Sequence, residues 1–324
     1  MLRKSVIATA VLALTATFNV SAQVQVDSAL PSYKAVSGVS GNLKSIGSDT
    51  LNNLMTLWAE GYNAMYPNVK IEIEGKGSST APAALVAGTS QFGPMSRPMK
   101  SKEIDDFEKK YGYKPVAVRS AIDALAVFVH KDNPIKCLTL QQVDAIFSKT
   151  RNGGLNKQIT TWGDVGLTGA WASRPISLYG RNSASGTYGY FKEVALFNGD
   201  YSDSVKEQPG SSTVVQGVAS DISGIGYSGV GYKTADVRTV PLAAAPGQTC
   251  YDATADHATS GDYPIARFLY IYVNKNPNQP LEPLRGEFVR FIYSKQGQQA
   301  VVKDGYFPVM KELAEEDLST FSLM

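Results

Sequence analysis

Three times along this chain a β-rich run ends in a short loop of glycines and small hydroxyl residues that opens directly into a helical pattern. The loops are Gly47-Ser48-Asp49-Thr50, Gly77-Ser78-Ser79-Thr80 and Ser183-Ala184-Ser185-Gly186-Thr187. Each junction combines unpaired backbone N–H groups, the positive end of a helix dipole and hydroxyls able to donate, which is the make-up of an anion cradle. One such loop is explained by the ordinary preference for Ser and Thr as helix caps. Three of them, with Arg181 shortly before Ser185, are more specific, because a guanidinium adds fixed-fork donors that suit a tetrahedral oxyanion.

The surrounding pattern alternates strands with helices. Residues 43–46 read as a first strand, and Leu51, Leu54, Met55, Trp58 and Tyr62 follow the spacing of an amphipathic helix ended by Pro67. Residues 69–73 and 91–93 are further strands, and 116–130 holds two apolar β-like stretches with Asp123 between them. Later come a strand at 176–179, a helix at 188–197, a glycine-rich run at 224–232, a strand at 268–273 and helices at 284–293 and 297–302. This alternation predicts α/β architecture with mixed, mainly parallel sheets, and 324 residues suggest two domains.

Composition narrows the function. Lys and Arg total 31 against 29 Asp and Glu, and two of the basic residues, Arg3 and Lys4, lie in a segment expected to be removed. The near-neutral remainder lacks the basic surface of a nucleic-acid binder. Met1 to Ala22 has a basic start, an apolar stretch and the small residues Val20-Ser21-Ala22, the pattern of a cleaved secretory signal. In an oxidising compartment Cys137 and Cys250 could pair or stay separate buried thiols, and geometry decides. With two cysteines and two histidines the chain offers little for zinc chemistry, and neither His130 nor His257 sits in a triad context. Gly226-Tyr227-Ser228-Gly229 has Val230 where a nucleophile elbow needs glycine, and Gly75-Lys76 is followed by Gly77, not by the Ser or Thr of a phosphate-binding Walker loop. Tyr188, Tyr190, Tyr227 and Tyr232 offer either a stacking surface or ordinary core packing.

Taken together, Ile46-Gly47-Ser48-Asp49-Thr50-Leu51, Gly77-Ser78-Ser79, Phe92-Gly93-Pro94-Met95-Ser96-Arg97 and Arg181-Asn182-Ser183-Ala184-Ser185-Gly186-Thr187 resemble the periplasmic phosphate-binding proteins that feed Pst-type ABC transporters. The likeness runs through nearly the whole mature chain. It implies a two-lobed type II periplasmic-binding fold with the ligand cleft between lobes, one formed by residues 24–120 and 262–324, the other by 121–261. It also implies inorganic phosphate as ligand, a membrane-embedded ABC permease as partner, a periplasmic location, a monomer, and no cofactor, metal or catalysis. Carried over by position, Thr50, the Leu51 backbone, Ser78 or Ser79, Ser96, Arg181, Ser185, the Gly186 N–H and Thr187 line the site. Many relatives hold an Asp in the loop where this chain has Ser96; that carboxylate accepts the proton that phosphate carries and sulfate lacks. Asp49 and Asp123 are the candidate replacements. The competing readings are a secreted phosphatase on the same cradle, a general oxyanion binder of the sulfate type, and a secreted adhesion or matrix protein.

Overall fold

The computed structural model describes residues 24–323, and the expected leader at 1–22 lies outside them. The first lobe begins with β1 (Gly41–Gly47), α1 (Asn52–Asn63), β2 (Val69–Gly75), α2 (Thr80–Ala87), β3 (Phe92–Met95) and α3 (Ser101–Tyr111). The chain then crosses through β4 (Val116–His130) into a second lobe containing β5 (Leu138–Thr139), α4 (Leu140–Phe147), β6 (Ser177–Arg181), α5 (Gly186–Val194), β7 (Lys206–Gln208), α6 (Ser211–Ala219), β8 (Gly224–Gly229), β9 (Val237–Thr239), β10 (Leu242–Ala243) and α7 (Ala255–Ser260). It returns through β11 (Ala266–Val273) to α8 (Pro283–Ile292), α9 (Lys295–Lys303) and α10 (Lys311–Thr320).

One curled mixed sheet runs through both lobes in the order β2-β1-β3-β11-β4-β8-β6-β7, with β9 added on β4. Pairing is parallel between β1 and its neighbours β2 and β3, and between β6 and its neighbours β7 and β8. Every antiparallel pairing of this sheet involves β4 or β11. The C-terminal ends of the parallel strands therefore carry the three Gly-Ser-Thr loops to the junction between lobes, where open α/β sheets bind ligands.

Residues 116–130 form one continuous strand, not two stretches parted at Asp123. Residues up to Ala124 pair with β11 and residues 125–129 pair with β8. A buried carboxylate persists mid-strand because its direct cross-strand partner is Arg267. Two cores flank this crossing. One holds Leu43, Leu54, Trp58, Phe92, Phe288 and Tyr306, the other Phe147, Trp162, Phe191, Tyr227 and Tyr263. The apolar face predicted for α1 is buried as Leu54, Met55, Trp58 and Tyr62. No helix among the described residues is long and apolar enough to cross a membrane.

Cys137 and Cys250 form a disulfide with their Cα atoms 6.1 Å apart, beside the short parallel pair of β5 and β10. The two cysteines are 113 positions apart in sequence. Replacing both cysteines by serine should lower stability by about 2–4 kcal/mol, read as a lower midpoint in urea denaturation. Asp304, at the end of α9, accepts a hydrogen bond from the Asn53 amide, leaves its second oxygen without a partner, and is pushed by burial from 3.8 up to about 6. Between those values the folded state holds a proton that the unfolded chain has lost, so this group's contribution to stability falls as pH rises. Asp304→Asn should match the wild type near pH ~4 and exceed it above pH ~6, by up to about 3 kcal/mol in denaturation measurements at the two pH values.

Candidate functional site

The loops after β1, β2 and β3 meet the loop after β6 across the cleft. Thr50 lies in a single 3-10 turn, Asp49–Leu51, just before α1, and its Oγ1 is 2.9 Å from the Oγ1 of Thr187 on α5. Ser96 stands between them: its hydroxyl receives a hydrogen bond from Ser48 at 3.2 Å, lies 3.2 Å from the Ser78 hydroxyl, and is 3.5 Å from that of Thr187. The Ser96 N–H donates to Ser78 Oγ at 3.0 Å. These five hydroxyl residues are all buried, so both lobes contribute to one enclosed cluster.

Helix α5 enters this cluster at its N-terminus. Ser185 is its cap, its Oγ accepting from the Thr187 and Tyr188 N–H groups at 3.1 and 3.3 Å, which leaves the hydroxyl hydrogen able to donate. Gly186 can be nothing larger, since a Cβ there would fall 2.3 Å from Ser78 Oγ and 2.7 Å from Ser96 Oγ. Leu51 sends its side chain into the first core and leaves only its backbone for the site. Ser79 stands at the rim, exposed, with its Oγ donating to the Ala184 carbonyl of the other lobe at 2.8 Å. Of the two serines after β2, Ser78 thus joins the cluster and Ser79 ties the lobes together.

Arg181 ends β6 and is 1% exposed. Its Nη1 donates to Ser211 Oγ at 2.6 Å and its Nη2 to the Pro209 carbonyl at 3.1 Å, while Nε has no partner. The nearest carboxylate, Asp49, is 3.4 Å from Nη1 and is itself occupied by the Ser211 N–H at 2.8 Å. Burial lowers the Arg181 pKa, and Asp49 opposes that shift. A cation this enclosed, matched only obliquely by charge, is suited to an anionic ligand. Asp49 therefore bridges the lobes at the start of α6, where it meets the helix's first N–H.

Asp123 is fully buried. One oxygen accepts from the Val230 N–H at 3.0 Å and the other from Arg267 Nε and Nη2 at 3.0 and 2.8 Å. Arg267 also donates from Nη1 to the Ser96 carbonyl at 2.7 Å and from Nη2 to Thr187 Oγ1 at 2.9 Å. Sequence reading missed this arginine because it lies inside an apolar strand far from every glycine loop; an unpaired Asp in the apolar 116–130 run was the signal that a buried cation faces it. The tyrosines act as packing and braces. Tyr227 stacks on Phe191 at 3.9 Å in the second core, Tyr232 donates to the carbonyls of Asp49 and Thr50, and Tyr190 donates to that of Ala266. His130 and His257 lie elsewhere, bonded to Asp132 N–H and to the Asp252 carbonyl.

A PBP superfamily domain matches residues 33–296. The phosphate-binding protein PstS of Pseudomonas aeruginosa is 58% identical over 303 residues, covering 94% of each chain. The PstS protein of Staphylococcus haemolyticus is 28% identical over 80% of this chain and 79% of its own. Among solved structures, a protein from Clostridium perfringens with bound phosphate, proposed to be a phosphate ABC transporter substrate-binding protein, superposes with a TM-score of 0.69 at 27% identity, covering 83% of this chain and all of its own. An ABC-type phosphate transport receptor from Vibrio cholerae shares the fold, with a TM-score of 0.64 at 22% identity over 82% of this chain and all of its own. Identity at this level and extent, on a two-lobed sheet that gathers hydroxyls and a buried arginine at its crossing, means that the chain belongs to the PstS-type phosphate-binding proteins of the PBP superfamily.

Proposed function

We propose that this protein captures inorganic phosphate between its lobes and delivers it to a membrane-embedded ABC permease. The observation that carries this reading is Arg181, buried with an unpartnered Nε and next to Asp49, whose neighbour Thr50 belongs to a cluster of hydroxyls drawn from both lobes. Thr50, the Leu51 backbone, Ser78, Ser96, Arg181, Ser185, the Gly186 N–H and Thr187 are the binding set; Ser79 serves as a clasp. The working lobes are 24–120 with 262–324, and 121–261; close to the crossing the cores overlap these bounds, with Tyr263, Ile265 and Phe307 packed in the second core and Ala121 in the first. The protein acts as a monomer in the periplasm after loss of residues 1–22. Capture without covalent chemistry is supported by the relatives, which are named as phosphate-binding and transport proteins.

Closure is the source of affinity: donors split between lobes reach one ligand only when the lobes meet, so the ligand shifts the population toward the closed state. Titration calorimetry of protein stripped of anion by unfolding and refolding should give tight one-to-one phosphate binding. Equal binding of sulfate would point to a general oxyanion receptor, no binding of either to a surface role, and turnover of a chromogenic phosphate monoester to an enzyme. Arg181→Ala should weaken phosphate binding at least about tenfold, since a charge-assisted bond to a buried anion contributes about 1.5–3 kcal/mol. Gly186→Ala should leave the melting temperature within a few degrees yet lower phosphate affinity by about tenfold or more, because its methyl group meets Ser78 and Ser96 only when the lobes close. Scattering profiles with and without phosphate would report that block as loss of ligand-induced compaction.

A further inference from the structure

We propose that Arg267 is a ligand-binding residue of this site, a second guanidinium facing the captured anion, with Asp123 as the residue that positions it. The inference rests on the phosphate-capture reading and names the charge state of ligand that it selects. Arg267 has its side chain 2% exposed and stands opposite Asp123 on the paired strand. One edge of its fork is spent on the Asp123 carboxylate; the other turns to the Ser96 carbonyl and the Thr187 hydroxyl, one from each lobe. A brace for Asp123 needs only the first edge. The second places positive charge against Thr187, which in turn meets Thr50 and Ser96 at the centre of the hydroxyl cluster. The Tyr190 ring, 5.3 Å from the guanidinium carbon, and the bond from its hydroxyl to Ala266 hold that plane in place.

The consequence is selectivity by charge. Arg267 bonds to the cluster and a second buried guanidinium, Arg181, stands next to Asp49 in the turn before α1, while Asp123 and Asp49 are each turned onto N–H donors of the protein. Such a site favours the doubly charged tetrahedral oxyanion, hydrogen phosphate, over the singly charged dihydrogen form. The groups facing Arg267 are Asp123 on β4, Tyr190 on α5, Tyr306 ahead of α10 and, at longer range, Arg181 on β6. Burial pushes Tyr190 up to about 12 and Tyr306 well above the usual tyrosine range, so neither changes charge near neutrality. Burial also pushes Asp304, near Tyr306, up to about 6; the variants leave its surroundings unaltered, so the comparison between proteins isolates Arg267.

The test is calorimetric titration with inorganic phosphate at about pH 5 and about pH 8. The proteins are the wild type, Arg267→Lys, and the double variant Arg267→Gln with Asp123→Asn, which leaves no unpaired charge buried. The wild type should bind more tightly at the higher pH. The double variant should lose about tenfold or more there, together with most of the preference for high pH. Arg267→Lys should keep that preference at an intermediate affinity, as a retained charge without the fork. Wild-type affinity and pH ratio in the double variant would overturn the proposal, as would a lysine variant that loses the preference entirely. Should the double variant not fold, Arg267→Lys decides alone: full wild-type affinity at both pH values overturns the fork's role. A wild type that binds no phosphate at either pH overturns the capture reading itself, which no variant result can mimic.

Discussion

The lobes are joined where β4 and β11 run antiparallel, and at that crossing a buried carboxylate directly faces a buried guanidinium. Burying both charges is expensive, and the attraction between them offsets the cost only where further hydrogen bonds satisfy the remaining donors and acceptors. Here they do: Val230 supplies the second Asp123 oxygen, and Ser96 and Thr187 take the outer edge of Arg267. Losing one partner of such a pair costs about 3–5 kcal/mol, which ties the integrity of the crossing to groups that also line the cleft. Ser96 belongs to the first lobe and Thr187 to the second, so one guanidinium is bonded to both.

Contact between the lobes also runs through neutral groups. A hydroxyl both donates and accepts, so Ser48, Thr50, Ser78, Ser96 and Thr187 satisfy one another at 2.9–3.5 Å when the lobes meet. Replacing such neutral bonds by bonds to an anion gains strength, since charge-assisted hydrogen bonds are roughly twice as strong. That difference is the free energy available to hold the lobes together. The backbone has to come equally close: a Cβ on Gly77, at φ +112°, would sit 2.5 Å from the Ala184 carbonyl, the same oxygen that the Ser79 hydroxyl and N–H bind.

Much of this was legible in the sequence because its signals are local. The β1-to-α1 and β2-to-α2 junctions, the Arg181 to Thr187 loop and the amphipathic stripe of α1 each announce themselves within about ten residues. What was not legible depends on distant partners. Helix α6, rich in Ser, Thr and Val, has weak helix propensity and forms because Val214, Val215 and Val218 bury their side chains. The continuity of β4 through Asp123 required Arg267, 144 residues away in sequence. Asp49 reads locally as a helix cap for α1, yet its carboxylate meets the start of α6 in the other lobe. The disulfide, open from spacing alone, is decided by the pairing of β5 with β10.

The division of donors between lobes also bears on release, which a receptor needs as much as capture. In the proposed binding set, Thr50, Ser78 and Ser96 belong to the first lobe and Arg181, Ser185, Gly186 and Thr187 to the second. Neither half-set encloses a tetrahedral anion, and each is rehydrated as the cleft widens, so an open lobe holds its ligand much more weakly than the closed pair. The clasps that add no ligand contact are few and separable: Ser79 on Ala184, and Asp49 on Ser211. Separating the lobes also breaks the bonds of Tyr232 to the Asp49 and Thr50 carbonyls and the packing of Val230 and Tyr232 on the first core. Release follows from geometry rather than from chemistry at the ligand.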